Sequence, residues 1–329
     1  MATQFSISKK ITGILVSLFM VNPLLAQAQK TASFPKQPIR LIVPYPPGGG
    51  ADGLARLVAQ GMGENLGQQI IVENRPGANT ALATEMAAKL PADGYNLLYV
   101  ASSFAINPSL YKLNYSIEKD FVPVAMVAKV PLIIVANNAY PVSTTDELVK
   151  QAKAQPGQIT YASYGAGSPA HLAGELFCQQ NNISMLHVPY KGSAPAMTDL
   201  MGGQVNIAFS SIEPAIQLIK TNRIKPIAVT TLQKVNGLPN VPTIAESGLK
   251  DFDAAGWNGI VAPAGTPTDV VMILNQAINS SLKQPNIKAK MDNQGVVMEI
   301  QTPTQFGQMI RSESEKWAAV IKKAQIKVD

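Results

Sequence analysis

Short apolar runs alternate with segments of helical periodicity along almost all of the chain after residue 37. The apolar runs that we interpret as strands lie at residues 37–45, 70–72, 96–100, 132–136, 159–162, 185–188, 205–209, 224–230 and 257–262. The segments that we interpret as helices begin near residues 52, 80, 145, 169, 194, 213, 268 and 304. A chain that alternates strand and helix in this way builds mainly parallel sheets flanked by helices, which is an α/β fold.

The pattern of strands and helices restarts near the middle of the chain. The 329 residues have room for two domains, at about 100–200 residues each. We therefore predict a discontinuous first domain, residues 34–130 plus 255–329, and a second domain, residues 131–254, inserted into it. The apolar runs 132–136 and 257–262 are the candidate crossovers. Two such units leave a ligand cleft between them, where strand ends and helix starts meet.

The N-terminus has the three parts of a secretion signal. Lys9 and Lys10 precede an apolar run at residues 11–25, and Ala26-Gln27-Ala28 follows as a small-residue cleavage site. We expect export and cleavage near Ala28, so that residues 1–28 are a signal peptide. A membrane anchor is the open alternative, although the run is shorter than the roughly 20 residues of a spanning helix.

Composition excludes several classes of site. A single cysteine, Cys178, rules out a disulfide framework, and two histidines are too few for a histidine-rich metal centre. We expect no metal and no cofactor. Removal of residues 1–28, which hold two lysines and no acidic residue, lowers the net charge from +6 to +4. The remaining basic residues are scattered, so we expect no nucleic-acid partner.

Glycine-rich loops join two of the strands to the helices that follow them. The first runs from Tyr45 through Gly48 and Gly49 to Asp52, and the second from Ser163 through Gly165 to Ser168. Glycines at such turns let backbone N–H groups approach an anion, and the helix start adds partial positive charge. A purely structural turn with Asp52 as N-cap is the alternative for the first loop. The first loop has the spacing of neither GxxxxGK[ST] nor GxGxxG, so it does not favour a nucleotide.

Four further strand ends carry small polar groups. They are Asn79-Thr80, Ala101-Ser102-Ser103, the loop Tyr190-Lys191-Gly192-Ser193, and Ser210-Ser211. Six such loops at successive strand ends predict a pocket that holds an anion mainly with neutral donors.

An exported serine hydrolase is a rival interpretation. Ser168 and His171 are three residues apart in the sequence, which makes them neighbours on a helix, but no GxSxG motif is present. The alternative for His171 is a hydrogen-bonded residue that packs the first turn of its helix. We interpret His187 as a core histidine and Cys178 as a small buried apolar residue.

Six sequence blocks resemble the signature of the Bug-type receptors, the solute-binding components of tripartite tricarboxylate transporters. The blocks are Pro44–Asp52, Glu73–Ala78, Pro91–Tyr95, Tyr190–Gly192, Asp199–Val205 and Val241–Gly248. The resemblance extends from about residue 34 to the C-terminus. It implies a periplasmic protein with a two-domain, Venus-flytrap fold of the type II-like kind, and no enzymatic activity.

The resemblance also implies a function and a set of binding residues. A small carboxylated solute, aliphatic or aromatic, is captured between the domains and delivered to the membrane permease of a tripartite transporter. A role as a ligand sensor in a signalling pathway is the alternative, and we expect a monomer. The residues expected to bind the solute are Tyr45, Gly48, Gly49, Asp52, Asn79, Ser102, Ser163, Gly165, Ser168, His171, Tyr190 and Ser211.

One departure from the resembling family concerns the loop after Arg75-Pro76. Many relatives read Gly-Ala-Gly-Gly-Asn there, whereas this chain has Gly77-Ala78-Asn79-Thr80-Ala81. The bulkier pair, Asn79 and Thr80, is expected to reshape the pocket, which puts the usual small amino acid or dicarboxylate ligand in question.

Overall fold

A computed structural model describes residues 34–328 of the chain. The predicted signal peptide, residues 1–28, lies outside the described residues. From Pro35 onward the chain forms one unit, so the division at residues 131 and 254 stays a prediction. None of the helices in the described part combines the length and apolar character that crossing a bilayer requires.

The strands of residues 34–328 join in one mixed sheet. They are β1 (Ile39–Val43), β2 (Ile70–Asn74), β3 (Asn96–Ala101), β4 (Phe121–Ala136), β5 (Thr160–Ser163), β6 (Leu186–Pro189), β7 (Ile207–Ser211), β8 (Lys225–Val229), β9 (Ala255–Pro263) and β10 (Val297–Met298). Their order is β2-β1-β3-β9-β4-β7-β5-β6, and β8 and β10 also pair with β4. The pairs of β1 with β2 and β3, and of β5 with β6 and β7, are parallel.

The helices pack against this sheet and mostly follow its strands. They are α1 (Gly50–Leu66), α2 (Ala81–Ala88), α3 (Ser103–Leu110), α4 (Thr145–Ala154), α5 (Pro169–Asn181), α6 (Ser193–Met201), α7 (Ile212–Lys220), α8 (Thr268–Leu282), α9 (Pro285–Asn293) and α10 (Pro303–Ala324). Short 3-10 turns occur at Ala78–Thr80 and Ala245–Ser247. The expected alternation of strand and helix is therefore present.

Strand β4 connects the two ends of the sheet. Its residues 121–131 pair antiparallel with β9, and its residues 132–136 pair antiparallel with β7 and β8. We call β1, β2, β3, β9 and β10 the β1 side, and β5, β6, β7 and β8 the β5 side. The sequence predicted only the run 132–136, because Pro123, Lys129 and Pro131 interrupt the apolar pattern before it.

Helix α10 contributes to the cores on both sides. Phe306, near its start, packs edge-on against Trp257 of β9, with 5.7 Å between the ring centroids. Trp317, three turns later, is buried in a separate cluster with Phe177 and Phe209 of the β5 side. Both ends of the sheet are thus attached to one long helix as well as to β4.

Helices α1 and α8 pack closely because Gly61 lies at their contact. A Cβ atom at Gly61 would lie 2.4 Å from Cβ of Ser281 and 2.7 Å from Cδ1 of Ile287. Ser281 is fully buried, so its surroundings leave it little room to move. The glycine is required by this close approach.

Two glycine-to-alanine substitutions in α1 should have opposite effects on stability. Gly61→Ala should lower the free energy of unfolding by about 1–3 kcal/mol, because the new methyl overpacks the contact with Ser281. Gly53→Ala, at a position with no neighbour within 4 Å, should raise it by about 0.5–1 kcal/mol through helix propensity. Urea unfolding of both variants measures the difference; equal effects would contradict the close packing of α1 on α8.

Candidate functional site

Five helices begin around one central cavity. Helices α1, α3, α5, α6 and α7 follow β1, β3, β5, β6 and β7 respectively, and the first residues of each line the cavity. The cavity has a volume of ≈ 740 Å³, which is within the range of small-molecule sites. Parallel strands on both sides of β4 therefore direct their helix starts to the same space.

Residues of both sides line the cavity, together with parts of β4 and β9. The lining consists of Tyr45, Gly50, Ala51, Asn79, Ala101, Ser102, Ser103, Val130, Tyr164, Gly165, Ala166, Gly167, Ser168, Pro169, Ser193, Ser211, Glu213, Pro214, Gly256, Trp257 and Asn258. Glu213 is the one residue in this set with a formal charge. The remaining polar groups are hydroxyls, amides and backbone N–H groups.

Four of the five helix starts lack a side-chain cap. The residues before α1, α3, α6 and α7 are Gly49, Ser102, Gly192 and Ser211, and none of them accepts a hydrogen bond from its helix through its side chain. The first N–H groups of a helix have no partner inside the helix, and the helix dipole adds partial positive charge there. The cavity thus combines free donors with a positive potential, which suits an anion.

The start of α5 is satisfied from within, and the loop before it keeps a free donor. Ser168 Oγ accepts the backbone N–H of His171 at 3.3 Å, and the Tyr164 hydroxyl accepts the backbone N–H of Ala170. Gly165 and Gly167 donate their N–H groups to Ser163 Oγ and His171 Nδ1. The backbone N–H of Ala166 donates to no acceptor in the described part of the chain. This N–H and the Ser168 hydroxyl proton remain available to a ligand.

Six of the twelve predicted binding residues line the cavity: Tyr45, Asn79, Ser102, Gly165, Ser168 and Ser211. The other six, Gly48, Gly49, Asp52, Ser163, His171 and Tyr190, lie in or beside the same loops without lining it. The small polar groups at the ends of the predicted strands identified these loops, but the sequence pattern does not show which side chain of a loop faces the cavity.

Asp52 has a structural role. It is 3% exposed and accepts hydrogen bonds from Gly48 N–H at 2.9 Å, Arg56 Nε at 3.0 Å and Asn74 Nδ2 at 2.8 Å. Burial alone would raise the pKa of this carboxyl, but the bonds from Arg56, Gly48 and Asn74 outweigh it and hold the pKa below its usual value. The proposed N-cap role is wrong, because Gly49 precedes α1 and Asp52 lies in its first turn.

Tyr45 and Tyr164 contribute hydroxyl groups to the cavity wall. The Tyr45 hydroxyl lies 3.2 Å from Ser103 Oγ, and the Tyr164 hydroxyl bonds to Ser211. Burial raises the pKa of Tyr45 to about 12 and that of Tyr164 further. Both phenols are therefore neutral at physiological pH. Each ties a loop of one strand end to the start of a neighbouring helix.

Asn79 and Thr80 occupy left-handed backbone, with φ values of 46° and 76°. Such angles are strained for residues other than glycine, above all for a β-branched residue. Glycine adopts such angles without strain, which explains why it is suited to these two positions in the family that the chain resembles. Asn79 donates through Nδ2 to Asn107 Oδ1 at 3.0 Å, and Asn107 donates back to the Asn79 carbonyl at 2.7 Å. The Asn107 amide thus holds this loop at the cavity.

Ser163, His171 and His187 support the glycine loop from behind. The two imidazole rings stack with 3.7 Å between their centroids, and His187 Nε2 lies 2.7 Å from Ser163 Oγ. His171 Nδ1 accepts the N–H of Gly167 at 3.0 Å. The hydrolase hypothesis needed the His171 ring beside Ser168, but Ser168 Oγ contacts the backbone N–H of His171 instead. Tyr190, another of the predicted binding residues, donates its hydroxyl hydrogen to Asp199 Oδ2, with 2.8 Å between the oxygens.

Several lining residues were missed as binding candidates. Glu213 and Pro214 lie in the first turn of α7, and Gly256, Trp257 and Asn258 belong to β9. The position of Glu213 directly after the strand end at Ser211 was a usable signal. Nothing in the local pattern of β9 marks its residues as cavity-lining, because they are brought there by pairing with β3 and β4.

A model of the tripartite tricarboxylate transporter family receptor matches residues 54–326. The chain belongs to this family. It is 35% identical over 317 residues to Protein BugT of Bordetella pertussis, with coverage of 95% of this chain and 97% of BugT. The resemblance stated from the sequence is confirmed.

Solved structures of this receptor family share the fold. The periplasmic binding protein BugD is 34% identical, with a TM-score of 0.75 and coverage of 89% of this chain and 99% of BugD. A protein of R. palustris solved with adipate is 32% identical, with a TM-score of 0.79 over 89% of this chain and 99% of that one. The expected periplasmic-binding-protein fold is therefore confirmed for this receptor-family member.

The stacked histidines predict a loss of stability in mild acid. Burial lowers the pKa of His171 to about 4, and burial together with the proximity of His171 lowers that of His187 to about 3. Both values lie below the unfolded value of about 6.5. Unfolding therefore takes up protons as the pH falls below about 6.5, and each histidine contributes a slope of up to about 1.4 kcal/mol per pH unit.

Urea unfolding of the wild type at pH 7.0, 6.0 and 5.0 measures the net slope, and His187→Asn should lower that slope by up to about 1.4 kcal/mol per pH unit. Glu213, whose pKa burial raises, contributes a slope of opposite sign, but it is present in both proteins. The difference between the two slopes therefore isolates the contribution of His187. Equal slopes in both proteins would show that neutral His187 is not required by the fold.

Proposed function

We propose that this protein is a periplasmic receptor that captures a small carboxylated solute and delivers it to the permease of a tripartite transporter. The observation that carries the proposal is the convergence of five helix starts and neutral donors on one cavity. Helix N-termini bind carboxylates without a formal positive charge. The adipate seen in the structurally similar protein of R. palustris supports a carboxylate in this one.

The solute carboxylate lies against the glycine loop before α5. Six consecutive residues, 164–169, line the cavity there, and the Ala166 N–H and the Ser168 hydroxyl are free to donate. Tyr45, Asn79, Ser102 and Ser211 complete the contacts from neighbouring strand ends. Neutral donors of this kind bind an anion through hydrogen bonds whose strength rises as the cavity excludes water.

Closure of two lobes around the solute completes the binding cycle. The lobes are residues 34–130 plus 255–329 and residues 131–254, and β4 and α10, which contribute to both sides, are the connections that must flex. The ligand stabilises the closed form, which the permease recognises. Export by the signal at residues 1–28 places a monomer in the periplasm. The receptor acts by binding alone, without catalysis.

A charge placed on the glycine loop tests this site. Ala166 is exposed and lines the cavity, so Ala166→Asp puts a carboxylate beside the proposed anion position. Two like charges about 6 Å apart cost about 3 kcal/mol at an effective dielectric constant of about 20. We expect roughly 100-fold weaker binding of the carboxylate that binds the wild type most tightly, measured by calorimetry on a panel that includes adipate.

Two matched variants separate charge from size and position. Ala166→Asn has the same size as the aspartate without its charge, so it should lose much less affinity. Ala139→Asp places the same charge on an exposed loop that does not line the cavity, so it should bind as the wild type does. Unaltered binding by Ala166→Asp, or a panel in which no carboxylate binds the wild type, would overturn the proposal.

A further inference from the structure

Glu213 is the one formally charged residue among those that line the cavity. It is the second residue of α7 (Ile212–Lys220) and is half-buried. The oxygen Oε1 lies 3.8 Å from the position that a Cβ atom of Gly50 would take. The carboxyl group therefore crosses from the start of α7 to the start of α1 on the β1 side.

No cation in the described part of the chain neutralises Glu213. Within residues 34–328 it forms no ion pair, and its hydrogen bond comes from its own backbone N–H. The basic residue of α1, Arg56, is held by Asp52 and Asn74. Burial raises the pKa of Glu213, which reflects the absence of a compensating positive charge.

An ordinary acidic residue in the first turn of a helix behaves differently. Glu147 of α4 is exposed and accepts the backbone N–H of Ser143 at 2.7 Å, while Thr144 caps the same helix. That arrangement stabilises a helix start and needs no further partner. Glu213 belongs to a helix start that lacks a side-chain cap, and its carboxyl lies in the cavity instead.

A carboxylate in this position sets the charge of the acceptable solute. A dianion would place a second negative group in a cavity that holds Glu213 and no lysine or arginine, and like charges in such a space repel. A positively charged group of the solute would instead give Glu213 the cationic partner that the described residues do not provide. The donors of the glycine loop remain free for one carboxylate.

We propose that the solute of this receptor carries a protonated amine as well as a carboxylate, and that Glu213 binds the amine. This inference rests on the proposed function, since it assumes that the solute carboxylate lies at the glycine loop. The solute is therefore a zwitterion with one carboxylate, unlike the adipate in the similar protein of R. palustris. Of the two usual ligand types that Asn79 and Thr80 put in question, Glu213 disfavours the dicarboxylate. Glu213 determines specificity by attracting the ammonium group and by repelling a second carboxylate.

Matched pairs of solutes test the inference on the full mature protein. Succinate, glutarate and adipate are compared by calorimetry with 3-aminopropanoate, 4-aminobutanoate and 5-aminopentanoate, which replace one carboxylate by an amine on the same methylene chain. The α-amino isomers of these amino acids complete the panel. We expect the tightest amino acid to bind about ten-fold or more tightly than the tightest dicarboxylate.

The variant Glu213→Gln, which keeps size and removes charge, should reverse this preference. The amino acid should lose about ten-fold in affinity and the dicarboxylate should gain. Both affinities are measured on the same sample, so partial unfolding of the variant does not change their ratio. If the variant does not fold, the ratio measured on the wild type tests the inference. Glu315→Gln, on an exposed position of α10, should leave the ratio unchanged.

The outcomes separate this inference from the proposed function. If wild type prefers a dicarboxylate, or if Glu213→Gln leaves the ratio unchanged, the zwitterion inference is wrong while carboxylate capture stands. If no member of either series binds the wild type but another carboxylate does, the inference is wrong and carboxylate capture stands; if no carboxylate binds at all, both fail.

Discussion

The direction of parallel strands decides where the helices of this protein begin. Each crossover from the carboxyl end of a parallel strand starts a helix at the same edge of the sheet. Here β1 and β3 on one side, and β5, β6 and β7 on the other, deliver five helix starts to one cavity. Partial positive charge therefore accumulates in that space without a lysine or an arginine. The low charged fraction of the chain, 15%, is consistent with a site of this kind.

Residues behind the cavity keep its loops in place. Asp52 joins Gly48, Arg56 and Asn74 under the first loop, and the stacked histidines hold the glycine loop from the other side. These groups are held by hydrogen bonds and stacking behind the loops and do not line the cavity. Hydrogen-bonded networks of this kind make loops rigid, and we propose that they preorganise the free donors at Ala166 and Ser168 for a carboxylate. In the proposed site, Glu213 adds the one formal charge among the lining residues, and we infer that it discriminates between carboxylated solutes.

Much of the fold follows from the sequence, because apolar runs and helical periodicity are local properties. Helices α4 and α8 have the bounds that the pattern predicts, and Ser168 is the N-cap of α5 as expected. Helix α3 was missed because Pro108 interrupts it, and the first half of β4 because Pro123 and Pro131 break its apolar run.

The site was predicted less completely for a physical reason. Sequence order identifies which loops meet at a sheet edge, but the direction of each side chain depends on backbone angles and on contacts from distant segments. The family resemblance placed Asp52 and His171 in the site. Neither residue lines the cavity, because Asp52 is hydrogen-bonded to Asn74 and His171 is stacked on His187. Trp257 and Asn258 were missed, since pairing with β3 and β4 brings β9 to the cavity.

A crystal structure of the mature protein with its tightest-binding carboxylated solute tests the central claim most directly. The account predicts that the solute lies in the cavity among the five helix starts. One carboxylate oxygen should accept the Ala166 N–H at about 2.9 Å, the usual N–H···O distance. A solute bound outside this cavity, for example in the groove that residues of α1 and the edge strand β2 line between Arg56 and Val72, would contradict it. So would a solute in the cavity whose carboxylate points away from the helix starts.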